Sequence, residues 1–156
     1  MDPAAAIPAD ALVLLIGPAA SGKSTWAATR FPPSQVLSSD AFREMVADDA
    51  SDQAATRDAF RLLHLVARAR VERGLLTVID ATNLQRAART ALLGLAARNG
   101  RPTIAVVLDV PLDELLARNA ARARSVPAEV VRRHHAQLAA AVADLAEEGY
   151  QSILRP

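Results

Sequence analysis

The sequence predicts an α/β protein in which a parallel sheet of about five strands lies between two layers of helices. Three observations support this prediction. Short apolar runs alternate along the chain with segments whose apolar residues recur at the period of a helix. The first run, LVLLI, is continuously apolar, which is typical of a strand buried on both faces of a parallel sheet. A glycine-rich turn and a segment able to form a helix follow that run directly.

Each element is predicted from its own local signal. The predicted strands are the apolar runs at 12–16, 35–39, 75–80, 103–110 and 150–154. Between them the periodic segments predict helices, of which one ends at Gly74, one closes at Gly100 and one has Pro111 near its first turn. The predicted helices cover 24–30, a segment beginning near 40, and 52–73, 84–100, 111–124 and 127–149.

Length and composition limit the classes of function. The chain has 156 residues, which predicts one domain over 1–156 with a buried core. Its formal net charge of +1 gives no overall field towards nucleic acid or an anionic membrane. Cysteine is absent, which excludes disulfides, thiol catalysis and cysteine-bound metals. The N-terminus, MDPAAAIPAD, has no secretory pattern, and no apolar run reaches about 18 residues, so a soluble cytoplasmic protein without membrane contact is expected.

The stretch GPAASGKST carries the clearest functional signal. It matches G-x-x-x-x-G-K-[ST], the phosphate-binding P-loop, and it stands between a predicted strand and a predicted helix, as that motif requires. Its glycines allow successive N–H groups to surround phosphate oxygens at a helix N-terminus. Lys23, the only lysine in the sequence, supplies a compact ammonium for the β- and γ-phosphates. The predicted nucleotide-binding residues are Gly17, Pro18, Ala19, Ala20, Ser21, Gly22, Lys23, Ser24 and Thr25.

The remaining sequence selects among P-loop proteins. A GTPase would read guanine with an Asn-Lys-x-Asp segment, which cannot occur here because the only lysine is in the P-loop. Motor and AAA-type ATPases are expected to need a longer chain. The sequence therefore predicts a small P-loop kinase, a three-layer sandwich with a helical lid, using ATP or another nucleoside triphosphate with Mg²⁺.

Asp40, in SSDAFRE, is the predicted general base. It follows the second predicted strand, where a carboxylate can accept the proton of an acceptor hydroxyl. The alternative is a helix cap, because aspartate is common at the start of a helix. Arg43 lies three residues on, on the same helical face, and could bind a phosphate of the acceptor.

Asp80 and Ser24 are the predicted Mg²⁺ ligands. Asp80 ends the strand LLTVID in the place of a Walker B carboxylate, and the Ser24 hydroxyl follows the P-loop lysine. Asp80 could instead cap or turn the end of its strand, with Asn83 capping the next helix.

Arginines in ARNAARARS are the predicted clamp on the transferred phosphoryl group. Arg118 and Arg122 are four residues apart and would share a helix face without an intervening acid, and Arg124 follows. Such a pair repels unless an anion lies between its members, although a solvated face is the alternative. His134 and His135 are adjacent inside a predicted helix and are expected to be surface or interface residues, not metal ligands.

The order of Gly17 to Thr25, SSDAFR, VIDATN and ARNAARAR resembles the polynucleotide 5′-kinase family. The sequence is most similar to the kinase module of bacterial RNA end-healing and end-sealing enzymes, and more distantly to phage polynucleotide kinase. The similarity runs from about Leu12 to Leu154.

The resemblance implies transfer of the γ-phosphate of ATP to the 5′-hydroxyl of RNA or DNA. It implies that Asp40 is the general base, that Arg43 contacts the acceptor, and that Arg118 and Arg122 bind the donor phosphates. Gln53 matches a position near the acceptor. The family's phosphatase and ligase modules do not occur in this sequence, so the chain is either an excised domain or a free-standing kinase.

Two other functions stay open. One is a small-molecule kinase that uses the same Asp40 base on a sugar, nucleoside or antibiotic hydroxyl. The other is a module that binds ATP without transfer. Aromatic residues make up only 3% of the chain, so stacking platforms for bases are scarce and weak binding of the polymer is expected.

Overall fold

A computed structural model describes residues 6–156. Residues 1–5 lie outside the described part of the chain, and with them half of the N-terminal segment on which the targeting expectation rests. Within residues 6–156 there are five strands, β1 Leu12–Ile16, β2 Val36–Ser38, β3 Thr77–Asp80, β4 Thr103–Val107 and β5 Ser152–Leu154. Six α-helices accompany them, α1 Lys23–Ala28, α2 Ser39–Ala47, α3 Thr56–Glu72, α4 Arg86–Arg98, α5 Leu112–Ala120 and α6 Ala128–Leu145. Short 3₁₀ helices precede β2 and α3, at Pro33–Gln35 and Gln53–Ala55.

The strands form one parallel sheet in the order β2-β3-β1-β4-β5. β1 lies at its centre, and every residue of β1 and β4 is buried. Leu12, Leu14 and Ile16 point to one face, where α3, α4 and α6 pack. Val13 and Leu15 point to the other face, where Trp26 and Ala27 of α1 pack. Helices cover both faces, which confirms the predicted three-layer α/β fold.

The parallel sheet brings the carboxyl ends of its strands to one edge, where ligands bind in folds of this kind. The P-loop follows β1 there, Asp80 ends β3, and α2 begins directly after β2. Predicted and observed elements differ mainly at their ends: β3 begins at Thr77 and not at 75, and β4 ends at Val107 and not at 110. Leu75 and Leu76 instead bond to Arg70 of the preceding helix.

A buried ion pair fixes the far side of the β3–α4 connection. Arg89 of α4 donates to both carboxylate oxygens of Glu148, over 2.9 and 2.7 Å, and the two side chains are 1% and 4% exposed. The same guanidinium donates to the carbonyl oxygens of Asn83 and Leu84. Arg89 therefore ties the chain after α6 to the loop that follows Asp80.

Replacing Arg89 by methionine is expected to lower the free energy of unfolding by about 3–5 kcal/mol, because it leaves a buried carboxylate without its partner. The Arg89→Met, Glu148→Leu double variant is expected to recover most of this loss. Denaturant titration of the wild type, the Arg89→Met and Glu148→Leu single variants and the double variant measures the coupling energy between the two side chains. A single variant as stable as the wild type would contradict the assignment.

The pair also predicts a pH dependence. The hydrogen bonds from Arg89 hold the pKa of Glu148 below its ordinary value of 4.5. The stabilising effect of the ion pair is therefore complete above pH 4.5, and it is lost as the pH falls through the pKa that Glu148 has in the folded protein. The double variant is expected to lack this part of the acid sensitivity.

Candidate active site

The P-loop has the geometry that its glycines allow. Gly22 has φ +90° and caps α1, and a Cβ atom on Gly17 would lie 2.8 Å from Ser21 Oγ and 2.9 Å from the Leu108 carbonyl oxygen. The N–H of Gly17 donates to the carbonyl oxygen of Thr82, which joins the loop to the end of β3. Both glycines are therefore required by the backbone, as the motif predicted.

Lys23 lies inside the loop. Its Nζ donates to the carbonyl oxygens of Gly17, over 3.0 Å, and Pro18, over 2.6 Å, and the residue is 9% exposed. Burial lowers the pKa of Lys23 to about 8, although Asp80 and Asp40 raise it and Arg122 lowers it further. The loop therefore encloses the ammonium and holds it by two backbone oxygens.

Ser24 and Asp80 form a polar pair beside Lys23. Ser24 Oγ donates to Asp80 Oδ2 over 2.7 Å. Burial raises the pKa of Asp80 above its ordinary value, the Ser24 hydrogen bond and Lys23 lower it, and Asp40 raises it. A hydroxyl and a carboxylate oxygen are hard ligands of the kind Mg²⁺ prefers, so these two side chains fit the ion.

Asp40 and Arg43 project from the first turns of α2. Arg43 Nη1 donates to Asp40 Oδ1 over 2.7 Å, and Arg43 Nε donates to the Thr56 hydroxyl at the start of α3. The Asp40 side chain is 58% exposed, whereas that of Arg43 is 12% exposed. Ser38, not Asp40, caps α2, because its side chain accepts from the N–H of Ala41. The helix-cap alternative for Asp40 is therefore wrong, and its carboxylate is open to an incoming group.

The lid arginines do not share a helix face. Arg118 Nη1 reaches the carbonyl oxygen of Ser21, 3.5 Å away, whereas Arg122 lies in the turn beyond the end of α5. No acid lies between the two arginines in the sequence, but Arg118 pairs with Glu114, four residues before it. The helix ends early because it closes around Asn119, whose buried side chain bonds to the N–H and the carbonyl oxygen of Val126. The Asn119 contacts close the turn after α5, and Arg118 within α5 reaches the P-loop at Ser21.

Three further side chains shape the site although the sequence interpretation assigned them other roles or none. Asn83 does not cap α4: its φ is 50° and its amide donates to the carbonyl oxygen of Leu15 in β1 over 2.7 Å. Asn119 closes the lid turn. His134, expected to be a surface or interface residue, accepts a hydrogen bond from the N–H of Ala19 in the P-loop. Gln53 is exposed and donates to Ser51, and Thr25 is exposed in α1.

The residues present fit a nucleoside triphosphate with Mg²⁺. Gly17 lets the loop pack closely against Ser21 and the Leu108 carbonyl oxygen, and Gly22 adopts a backbone conformation suited to glycine. Within residues 6–156, the buried Ser21 Oγ has no hydrogen-bond partner, which leaves a polar atom at the loop. Lys23 inside the loop and Arg118 at Ser21 supply positive charge there.

Comparison with known proteins places the chain in a family. A family model described as AAA domain matches residues 12–145, which is most of the chain. The chain belongs to the AAA domain family. The expectation that its length excludes AAA-type proteins is therefore wrong as far as the family is concerned. This AAA domain has a P-loop kinase-like fold. A search of curated protein sequences finds no match to it.

Solved structures share the fold of this AAA domain at low identity. A chain of the Pnkp1/Rnl/Hen1 RNA repair complex aligns with a TM-score of 0.74 and 22% identity, over 86% of this chain and 46% of that chain. A putative kinase from Chloroflexus aurantiacus aligns with a TM-score of 0.65 and 22% identity, over 96% and 86%. Shikimate kinase from Acinetobacter baumannii aligns with a TM-score of 0.52 and 18% identity, over 93% and 83%.

These likenesses extend to kinases of different kinds. The AAA domain spans less than half the length of the RNA repair chain, which is therefore a much longer protein.

Within residues 6–156, no helix has the length and apolarity needed to span a membrane.

Proposed function

We propose that this chain is an ATP-dependent polynucleotide 5′-kinase that transfers the γ-phosphate to the 5′-hydroxyl of RNA or DNA. The observation that carries the proposal is the Asp40–Arg43 pair at the start of α2, an exposed carboxylate that a more buried arginine orients at the sheet edge that also carries the P-loop. An acceptor hydroxyl needs such a carboxylate, and a terminal nucleotide also offers a phosphate for Arg43. The phosphatase and ligase that complete end repair would be separate modules.

The residues divide the work of the transfer. Asp40 accepts the proton of the acceptor hydroxyl while the hydroxyl oxygen forms a bond to the γ-phosphorus. The bond between the γ-phosphorus and the bridging oxygen breaks, and ADP leaves with that oxygen. Lys23 and the P-loop amides hold the donor phosphates, and Arg118 and Arg122 oppose the charge on the phosphoryl group. Ser24 and Asp80 would hold Mg²⁺, which neutralises charge on the phosphate oxygens when bound.

A groove beside α3 favours a polymer over a small acceptor. The groove has a volume of about 1020 Å³ and is lined by apolar side chains, among them Val46, Phe60 and Leu65, by Arg57, Arg61 and Arg68, and by Asp58. Arg61 pairs with Asp58, and Arg68 pairs with Glu72. Thr56, which holds Arg43, directly precedes Arg57, and Val46 lies one helical turn beyond Arg43 in α2. Arg57 and the apolar side chains match a phosphate and the bases of a short single strand that leads away from Asp40.

Substitution of Arg57 by serine tests this continuation. We expect KM for a 5′-hydroxyl oligonucleotide to rise severalfold and the slope of log KM against log salt to fall by about 1, as for one lost phosphate contact. A 5′-hydroxyl dinucleotide, too short to reach the groove, is expected to be phosphorylated as before. Arg73→Ser, at the opposite end of α3, is the matched control. An unchanged salt dependence would contradict a strand in the groove.

A small-molecule kinase is the second candidate, because the fold is also shared with shikimate kinase and aromatic residues are scarce. Comparing kcat/KM for an oligonucleotide, a nucleoside and a set of sugar and cyclic polyol acceptors separates the two. The proposal predicts the highest value for the oligonucleotide. A higher value for any small alcohol would overturn it in favour of that acceptor.

A further inference from the structure

His134 joins α6 to the P-loop. The residue lies in α6, and its Nδ1 accepts a hydrogen bond of 3.3 Å from the N–H of Ala19, 115 positions away in the sequence. His134 is half-buried. The adjacent His135 faces a separate cavity of about 250 Å³ with Asp109 and Leu138. Only the first of the two histidines therefore contacts the loop.

The hydrogen bond defines the form of the imidazole. Nδ1 can accept only when it carries no proton, so His134 is neutral with its proton on Nε2. Burial lowers the pKa of His134, and the nearby positive charges of Lys23 and Arg133 lower it further. The contact with Ala19 is thus compatible with the electrostatics around it at neutral pH.

The peptide group that His134 holds also holds Lys23. The N–H of Ala19 and the carbonyl oxygen of Pro18 belong to one planar peptide, and that oxygen accepts from Lys23 Nζ over 2.6 Å. The next residue, Ala20, has φ 66°, which side-chain-bearing residues rarely adopt. The contact with His134 fixes the orientation of this peptide at a point where the backbone is strained.

We propose that His134 is a positioning residue for nucleotide binding, which orients the Pro18–Ala19 peptide and keeps α6 docked on the P-loop before the nucleotide arrives. The inference rests on the nucleotide-binding half of the proposed function and not on the identity of the acceptor. A loop that is already ordered binds with less loss of conformational freedom. The contribution of His134 therefore belongs to affinity for the nucleotide.

Three variants test the proposal by calorimetric titration with ATP and Mg²⁺. His134→Leu is expected to raise Kd for ATP about 3- to 10-fold, the effect of one lost hydrogen bond. His134→Asn, whose Oδ1 can take the place of Nδ1, is expected to restore Kd to within about twofold of the wild type. His135→Leu, the control, is expected to leave Kd unchanged. Thermal unfolding of each protein verifies that it is folded.

Steady-state kinetics add a measurement that a general loss of stability would not reproduce. KM for ATP is expected to follow Kd through the series. The value of kcat at saturating ATP is expected to stay within about twofold, because the contact is the same in the ATP complex and in the transition state. A leucine variant that binds ATP like the wild type, or an asparagine variant as weak as leucine, would overturn the proposal. Failure of oligonucleotide phosphorylation with this pattern of ATP binding intact would overturn only the proposed acceptor.

Discussion

Replacement of Asp40 by asparagine is expected to lower kcat for phosphoryl transfer by about 10²- to 10⁴-fold, the range for loss of a general base. Asparagine keeps the size of the side chain and can still accept the hydrogen bond from Arg43, which in the wild type is 2.7 Å long. It cannot take the acceptor proton. Kd for ATP is expected to change by less than about threefold, because Asp40 acts on the acceptor and only influences Lys23 electrostatically.

Single-turnover transfer and ATP titration on the same preparations measure the two effects. Asp113→Asn, an exposed aspartate in the first turn of α5, is the matched control and is expected to leave both unchanged. Transfer by Asp40→Asn at the wild-type rate would contradict the assignment of the base. A parallel loss of ATP affinity of the same size would move Asp40 from the acceptor to the donor side of the site.

Lys23 is expected to be irreplaceable, by arginine as well as by methionine. Either change is expected to lower kcat/KM for ATP by about 10²–10³ or more, the scale of one preorganised charge contact. Arginine is expected to fail because the ammonium sits between two carbonyl oxygens inside a closed loop, where the larger planar guanidinium does not fit. The measurement is the initial rate at several ATP concentrations, from which kcat/KM is obtained. Arg118→Lys, which keeps a positive charge at that position of α5, is the comparison.

Replacement of Lys23 by methionine is also expected to stabilise the folded protein. The pKa of Lys23 falls from 10.5 in the unfolded chain to about 8 in the folded protein, so the charged ammonium is disfavoured by folding. That penalty is complete below pH 8 and disappears as the pH rises towards 10.5. Lys23→Met is therefore expected to unfold at a higher temperature than the wild type at pH 7, and the difference is expected to shrink at pH 10. A methionine variant less stable at both pH values would contradict a desolvated lysine.

The sequence predicted those features that depend on neighbours in the chain. The P-loop, the strand that precedes it and the carboxylate that ends β3 are each contained in a few consecutive residues. Parallel strands then place the P-loop, the start of α2 and the end of β3 at one edge of the sheet. The membership of the fold class followed from the same alternation of strands and helices.

The features that the sequence did not predict depend on contacts between distant segments. Arg89 and Glu148 are 59 positions apart, and no local pattern marks their pairing. The Asn119 side chain ends α5 early by binding across the turn, so the helical spacing of Arg118 and Arg122 was misleading. His134 and His135 are neighbours in α6 and point in different directions, His134 to the P-loop and His135 to a separate cavity. The sequence of the helix does not indicate which of the two faces the P-loop.

Transfer of labelled γ-phosphate from ATP to a 5′-hydroxyl oligonucleotide, with Mg²⁺, tests the central claim most directly. The labelled product is digested to mononucleotides, and the same strand carrying a 5′-phosphate serves as the control acceptor. The account predicts label only in the 5′-terminal mononucleotide of the hydroxyl strand, none in the control, and loss of label with Asp40→Asn. ATP binding by the wild type without label on that terminus would contradict a polynucleotide 5′-kinase.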